Sequence, residues 1–338
     1  MKTTLYNNIN DLPAVAELLR GGQVVAIPTE TVYGLAANAL NEQAVRKIFA
    51  AKNRPADNPL IVHIATWEEL LPLVKEIPPK AKALADAFWP GPLTMVLPRS
   101  EQIPNVVTAG GDTVAVRMPA HDMARAIIKA CGLPLAAPSA NRSGSPSPTT
   151  AAHVMNDMDG VIPAVFDGGM SEVGLESTVI SLVGETPRLL RPGGITPEQL
   201  QQVVGAIEMD PSITANVHLD KVSSPGMKYK HYAPKAKVTL LHGSRQAFVE
   251  FVNQTEEDAV ALCFAEEAEL IHKPTLCLGH ENDPDEIGHN LFALLRLADE
   301  QNMTRIYAHC PARQGVGLAV YNRLIRAAAF DERELETK

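Results

Sequence analysis

Apolar and polar positions divide the chain into a longer and a shorter stretch of interleaved strands and helices. "QVVAIP" (23–28) reads as a short apolar strand that ends in a loop, "TETVYGLA". "NEQAVRKIFAAK" (41–52) places Ala44, Val45, Ile48 and Phe49 at helical spacing, with Asn41 as its N-cap. "PLIVHIA" is apolar on both faces and predicts a buried strand. Helical patterns follow at 67–75 and 79–88, then strands "LTMVLP" (93–98) and "TVAVRMP" (113–119), the helix "HDMARAIIKACG" and the strand "LPLAAPSA". "SANRSGSPSPTTAAHV" (139–154) is a Ser/Pro/Gly loop that runs into a helix. "PAVFDGG" and the pair inside "STVISLVGETPRLLRPG" complete the strands, with "VGETP" as a turn. Strands and helices interleave without strict repetition, which predicts an α/β fold: a mixed, twisted sheet with packed helices in one unit of about 200 residues.

From residue 205 the periodic signal fades. About thirty residues, "GAIEMDPSITANVHLDKVSSPGMKYKHYAPKAK", are long for a connection in a compact domain and read as a linker or a functional loop. Beyond them "VTLLHG", "DAVALCFA", "TLCLG" and "TRIYAHC" alternate with helical patterns such as "DEIGHNLFALLRLADEQN". That rhythm predicts a smaller, Rossmann-like parallel α/β domain of about 100 residues. The expected organisation is 7–204 as the main domain, 205–236 as linker and 237–338 as the small domain.

Composition narrows the classes. The 338 residues are 46% apolar and carry a net charge of −9, so any anion site is a local basic patch rather than a basic surface. Cys131, Cys263, Cys277 and Cys310 form no C-x-x-C pair and predict neither a zinc site nor a disulfide framework; reduced, buried thiols are expected. No export signal and no long apolar run is visible, so a soluble, cytoplasmic protein without a membrane partner is expected.

Several stretches carry candidate chemistry. Lys52 and Arg54 follow a helix end, where cations suit the helix dipole; the alternative is a grip on phosphate, with arginine as a bidentate fork. Asn58 either holds that loop or meets a ligand. His63 is a core histidine or a site residue. "PTETVYG" (28–34) sets hydroxyl and acidic side chains at a strand end, where α/β proteins place ligands. "APSANRSGSPSPT" (137–149) is either a capped Ser/Pro loop or a phosphate site ahead of a helix. Arg117, inside an apolar strand, needs an anionic partner from the protein or from a ligand, and Arg191 poses the same question.

"PTETVYGLAANA", "KNRPADNPLIVHI", "AVRMP", "APSANRSGSPSPT", "GLESTVI" and "LLRPGGI" together resemble, in order and spacing, the YrdC-like family. "SPGMKYKHYAP" resembles the linker motif of its long, two-domain threonylcarbamoyl-AMP synthase form, and the match runs from about residue 7 to 235. The resemblance implies a nucleotidyltransferase. L-Threonine, bicarbonate and ATP, with Mg2+, give threonylcarbamoyl-adenylate and pyrophosphate, and a separate transferase complex carries the group to adenosine 37 of tRNA. It implies that Lys52 and Arg54 face phosphate as the catalytic pair. It implies that Arg54, Asn58, Thr113, Ser139, Ser147, Arg191 and Tyr232 hold ATP, with His231 near Tyr232. Thr31, His63, Arg117, Ser177 and the backbone of Ala137 would hold threonine. No metal ligand from the protein is implied, and the linker would act as a lid.

Departures are few. Ala36 stands where the family often has glycine, Lys230 where arginine is common, and Ile180–Ser181 where Val-Asp is usual. Alternatives from other classes are a tRNA- or double-stranded-RNA-binding module, which needs no threonine contacts, and a hydrogenase-maturation relative, whose cysteine pairs are missing here. A regulatory role for 237–338 stays open.

Overall fold

The computed structural model describes residues 2–215 and 232–336. They fall into two compact units, one holding 2–143 and 147–215, the other 144–146 and 232–336. His231, Lys230 and most of the expected lid motif lie outside the described residues.

In the first unit, the strands are β1 (Thr4–Tyr6), β2 (Val25–Ile27), β3 (Gly34–Asn38), β4 (Ile61–His63), β5 (Leu93–Pro98), β6 (Thr113–Arg117), β7 (Leu135–Ala136), β8 (Ala164–Phe166), β9 (Thr178–Ser181), β10 (Arg188–Arg191) and β11 (Glu208–Met209). Among the described residues they form one sheet, in the order β1-β8-β2-β3-β7-β4-β6-β5-β9-β10-β11. It is mixed: β4–β6 and β5–β9 pair parallel, while β7–β4, β6–β5 and β9–β10 pair antiparallel. The helices are α1 (Leu12–Arg20), α2 (Glu42–Lys52), α3 (Pro79–Phe88), α4 (Asn105–Thr108), α5 (Asp122–Cys131), α6 (Ala151–Met158) and α7 (Pro197–Val204). Val15, Ala16 and Leu19 of α1 and Ile127, Ile128 and Cys131 of α5 pack on Val25, Ile27, Ala36 and Leu135 of the sheet, the main core of this half.

Local chemistry explains the elements. Asn41 caps α2 by accepting from the backbone N–H groups of Gln43 and Ala44. Asn53 ends it in the left-handed region, φ 50°. Pro72 limits the 67–75 pattern to a 3-10 turn over Glu68–Leu73.

Two expectations change. "GLAAN" is a strand rather than loop, because β2 and β7 pair with it on both sides; Ala36 therefore sits mid-strand in the core, not in a turn. Residues 208–209, expected in a featureless linker, form β11 on the edge of the first sheet.

In the second unit, β12 (Lys237–His242), β13 (Val260–Cys263), β14 (Thr275–Cys277), β15 (Arg305–His309) and β16 (Glu332–Glu334) form a sheet in the order β14-β13-β15-β12-β16. Every pairing in it is parallel, with crossover helices α8 (Arg245–Gln254), α9 (Ala265–Ala268), α10 (Pro284–Glu300) and α11 (Gly315–Ala327). This is the Rossmann-like arrangement the rhythm predicts. Cys277 is exposed rather than buried because β14 is an edge strand. Under the second sheet, His309 Nδ1 meets Glu267 Oε1 at 2.5 Å, and its ring stacks on Phe248 with centroids 4.5 Å apart.

Candidate active site

Directly opposed residues of a ladder share a face of the sheet. One row of such residues runs Leu135, His63, Arg117, Thr94, Val179, Arg191 across β7, β4, β6, β5, β9 and β10. At Leu135 the row lies under α1 and α5. Farther along it turns polar. One step away on the same strands, Ile61, Ala115 and Val96 cluster with Val179 and Leu190 as an apolar floor. Thr113 shares this face with Arg117, about 13 Å away at the other end of β6.

The polar groups interlock. Arg117, 3% exposed, donates from Nη1 to Thr31 Oγ1 at 2.7 Å and from Nε to the Gly91 carbonyl at 3.2 Å. Its Nη2 lies 2.7 Å from Glu30 Oε2 in a buried ion pair. A protein carboxylate thus satisfies the arginine's need for a counter-charge, and burial alone no longer calls for a bound one. For Glu30, burial pushes the carboxyl up, but the Arg117 charge and the nearby Ala120 amide outweigh it and hold the group below its ordinary value. His63 Nδ1 lies 3.3 Å from the Ile61 carbonyl, and the Leu135 backbone also bonds the ring. Burial and the Arg117 charge push its pKa down to about 3, so the ring is neutral.

Ser177 Oγ pairs with Thr94 Oγ1 at 2.8 Å. Arg191 grips the same residue, from Nε to the Ser177 carbonyl at 3.0 Å and from Nη2 to its Oγ at 3.2 Å. This crossing requires Gly193: a Cβ there would lie 2.3 Å from Thr178 N and 2.6 Å from the Glu176 carbonyl. Ser147 donates a short hydrogen bond to Glu176 Oε1.

In the basic loop the two cations differ in burial. Lys52 is 3% exposed and turned inward. Its Nζ donates to the Ser139 carbonyl, to the Asn141 carbonyl at 2.7 Å, and toward Asn141 Oδ1 at 3.4 Å. It pins the hydroxyl loop, in which Ser139 Oγ also donates to Asn141 Oδ1 at 2.5 Å. Arg54 is half-buried just past the helix end, its backbone N–H bonded to the Phe49 carbonyl. Asn58 is fully buried, and its side-chain amide has no hydrogen-bond partner among the described residues. A buried primary amide left that way is suited to a ligand that both donates and accepts. Ala137 gives its N–H to the Ile61 carbonyl, so a backbone contact there falls to its own carbonyl.

The first unit therefore brings His63, Arg117 and Arg191 into one row, with Thr31 hydrogen-bonded to Arg117 and Ser177 to Arg191, and Lys52 into contact with Ser139. Tyr232 belongs to the second unit, where its ring packs on Phe292 and beneath the Arg323 guanidinium. Thr94 escapes sequence reasoning, and Glu30, Asn141 and Glu176 lie inside the quoted motifs without an individual role there. Among the described residues no group of three or more His, Cys, Asp or Glu side chains could hold a metal ion, and no helix is long and apolar enough to cross a membrane.

Comparison with known proteins places the chain among relatives of one kind. A family model described as "Telomere recombination" matches residues 17–193. A second, described as "Threonylcarbamoyl-AMP synthase, C-terminal domain", matches 195–329. The chain is 47% identical to threonylcarbamoyl-AMP synthase of Pyrococcus abyssi over 319 residues, covering 93% of each. It is 45% identical to that of Bacillus subtilis over 329 residues, covering 96% of this chain and 94% of the relative. A crystal structure of Pyrococcus abyssi Sua5 complexed with L-threonine superposes with a TM-score of 0.92 at 43% identity, covering 99% of this chain and 100% of that one. With two models end to end and relatives matched along nearly the whole length, this chain belongs to the threonylcarbamoyl-AMP synthase family.

Proposed function

We propose that this chain forms L-threonylcarbamoyl-AMP and pyrophosphate from L-threonine, bicarbonate and ATP. The observation that carries the reading is the buried polar row at His63, Arg117, Thr94, Ser177 and Arg191 on an otherwise apolar sheet face. Thr31, His63, Arg117, Ser177 and the Ala137 carbonyl would hold threonine. Arg54, Asn58, Thr113, Ser139, Ser147 and Arg191 would hold ATP. About 13 Å of β6 between Arg117 and Thr113 is a suitable span for an amino acid at one end and a nucleotide at the other.

The chemistry asks little covalent work of the protein. The threonine amine captures bicarbonate with loss of water, and the carbamate oxygen attacks the α-phosphorus while pyrophosphate leaves. A carbamate is short-lived in water, so a dry site that aligns it in line with the phosphate is the main contribution. Arg54 and Arg191 add fixed positive charge where phosphoryl charge builds. Lys52 serves the same end by holding Ser139 and Asn141 in place. Mg2+ would arrive on the ATP phosphates and neutralise part of their charge. The adenylate would then pass, in the cytoplasm, to a tRNA threonylcarbamoyl transferase complex.

The test is incubation with α-phosphate-labelled ATP, bicarbonate, Mg2+ and each proteinogenic amino acid in turn. Pyrophosphate and a labile adenylate should appear only with threonine and bicarbonate together. Turnover independent of threonine, beside salt-sensitive tRNA binding, would sink the reading in favour of an RNA-binding module.

A further inference from the structure

Glu30 is so far assigned only as the counter-charge of Arg117 and not as a contact to substrate. It is 3% exposed and follows Thr29, whose hydroxyl bonds the Val32 carbonyl at 2.6 Å. Its own carbonyl accepts from Val173 N–H at 2.7 Å, so the backbone that carries the side chain is fixed. The two carboxylate oxygens differ. Oε2 faces Arg117 Nη2 at 2.7 Å. Oε1 is buried and makes no well-formed hydrogen bond, the Ala120 amide being the backbone donor near the carboxylate. A buried carboxylate oxygen is normally saturated by donors, because leaving it bare is costly. The neutral His63 ring nearby adds no charge to the pair. The polar row at Arg117 thus offers an acceptor beside a guanidinium whose five N–H groups have three contacts.

We propose that Glu30 Oε1 is the subsite for the substrate's α-ammonium group, paired with Arg117 as the subsite for its α-carboxylate. On an α-amino acid the two charged groups share one carbon. A ligand whose carboxylate meets Arg117 therefore carries its ammonium to an acceptor next to Arg117, and Glu30 is the ionised one there. The Glu30–Arg117 pair is neutral as a whole and His63 is uncharged, which matches a zwitterion and discriminates against a plain carboxylic acid. The proposal rests on the threonine-binding reading above and sharpens it: selection includes the amine that must become the carbamate nitrogen.

The test is calorimetric titration, without ATP, of L-threonine and of (R)-3-hydroxybutyrate, which lacks only the amino group. Wild-type protein should bind L-threonine at least about 100-fold more tightly. Comparable Kd values for the two ligands overturn the subsite without any variant. In Glu30→Gln the ratio of the two Kd values should collapse at least about tenfold, and Glu30→Asp, which keeps the charge, should recover part of it. A variant that weakens both ligands equally and leaves the ratio unchanged shows Glu30 acting only through Arg117, and overturns the proposal. Wild-type protein that binds no L-threonine overturns the synthase reading itself, an outcome distinct from equal binding of the two.

Discussion

Lys52→Met separates two accounts of the basic loop. The lysine lies at the end of α2 with its ammonium against the carbonyls of Ser139 and Asn141. Methionine keeps the length and the helix propensity but supplies no donor. A hydrogen bond from a charged donor contributes about 1.5–3 kcal/mol, so two give about 3–6 kcal/mol. Relief of the desolvation of a buried ammonium offsets part of that, leaving an expected loss of about 2–4 kcal/mol. The assay is urea denaturation without ligand, followed by a signal from the first unit, beside pyrophosphate release at saturating threonine. The midpoint should fall, and the loss of turnover should come largely as a raised KM for ATP, because the loop holding Ser139 loosens. A variant as stable as wild type with turnover abolished at saturating ATP would refute the anchoring argument and return Lys52 to direct work on phosphate.

Other outcomes follow from the same geometry. Arg54→Ala should slow pyrophosphate release by roughly 100-fold or more if its fork serves the transition state, since single charge-stabilising donors have effects of that order. His63 has a folded pKa of about 3 against an ordinary 6.5, so the unfolded chain takes up the proton first; stability should be level above 6.5 and decline as pH falls from there toward 3. His63→Leu should flatten the part of that decline lying above the carboxylate range, read from urea midpoints at a series of pH values. Gly193→Ala should push the Ser177 backbone away from Arg191 and raise the threonine and ATP KM values together, since its Cβ meets backbone rather than a movable side chain. His309→Ala should lower the stability of the second unit by about 1–3 kcal/mol, measured on full-length protein, because buried Glu267 loses the partner of Oε1 and keeps only the Phe264 N–H on Oε2.

What is legible in the sequence depends on whether the cause is local. Leu93–Pro98 and the apolar strand at Ile61–His63 announce themselves because a strand buried on both faces must be apolar throughout. Asn41 is readable as a cap from its place before a periodic run. Gly34–Asn38 is not readable, because "GLAAN" has no β-branched residue and owes its strand state to neighbours on both sides. The inward turn of Lys52 is equally hidden: a cation at a helix end looks the same whether it meets solvent, phosphate or the carbonyls of a distant loop. Glu30 carries no spacing signal of its own. Its meaning arises only when β6 sets Arg117 beside it.

The motif residues scattered through the first unit become one site through the pleat of the sheet. A one-residue slip in any ladder from β7 to β10 would turn a member of the row to the opposite face. Register is held by the apolar partners two residues along, Ile61 opposite Ala115 and Ala115 opposite Val96. The same face under α1 and α5 is sealed by Leu135 and its neighbours. Burial therefore enforces at one end of the sheet the alignment that polar chemistry requires at the other. A substitution such as Ile61→Thr, remote in character from any ligand, would act on the site through register before it acted through contact.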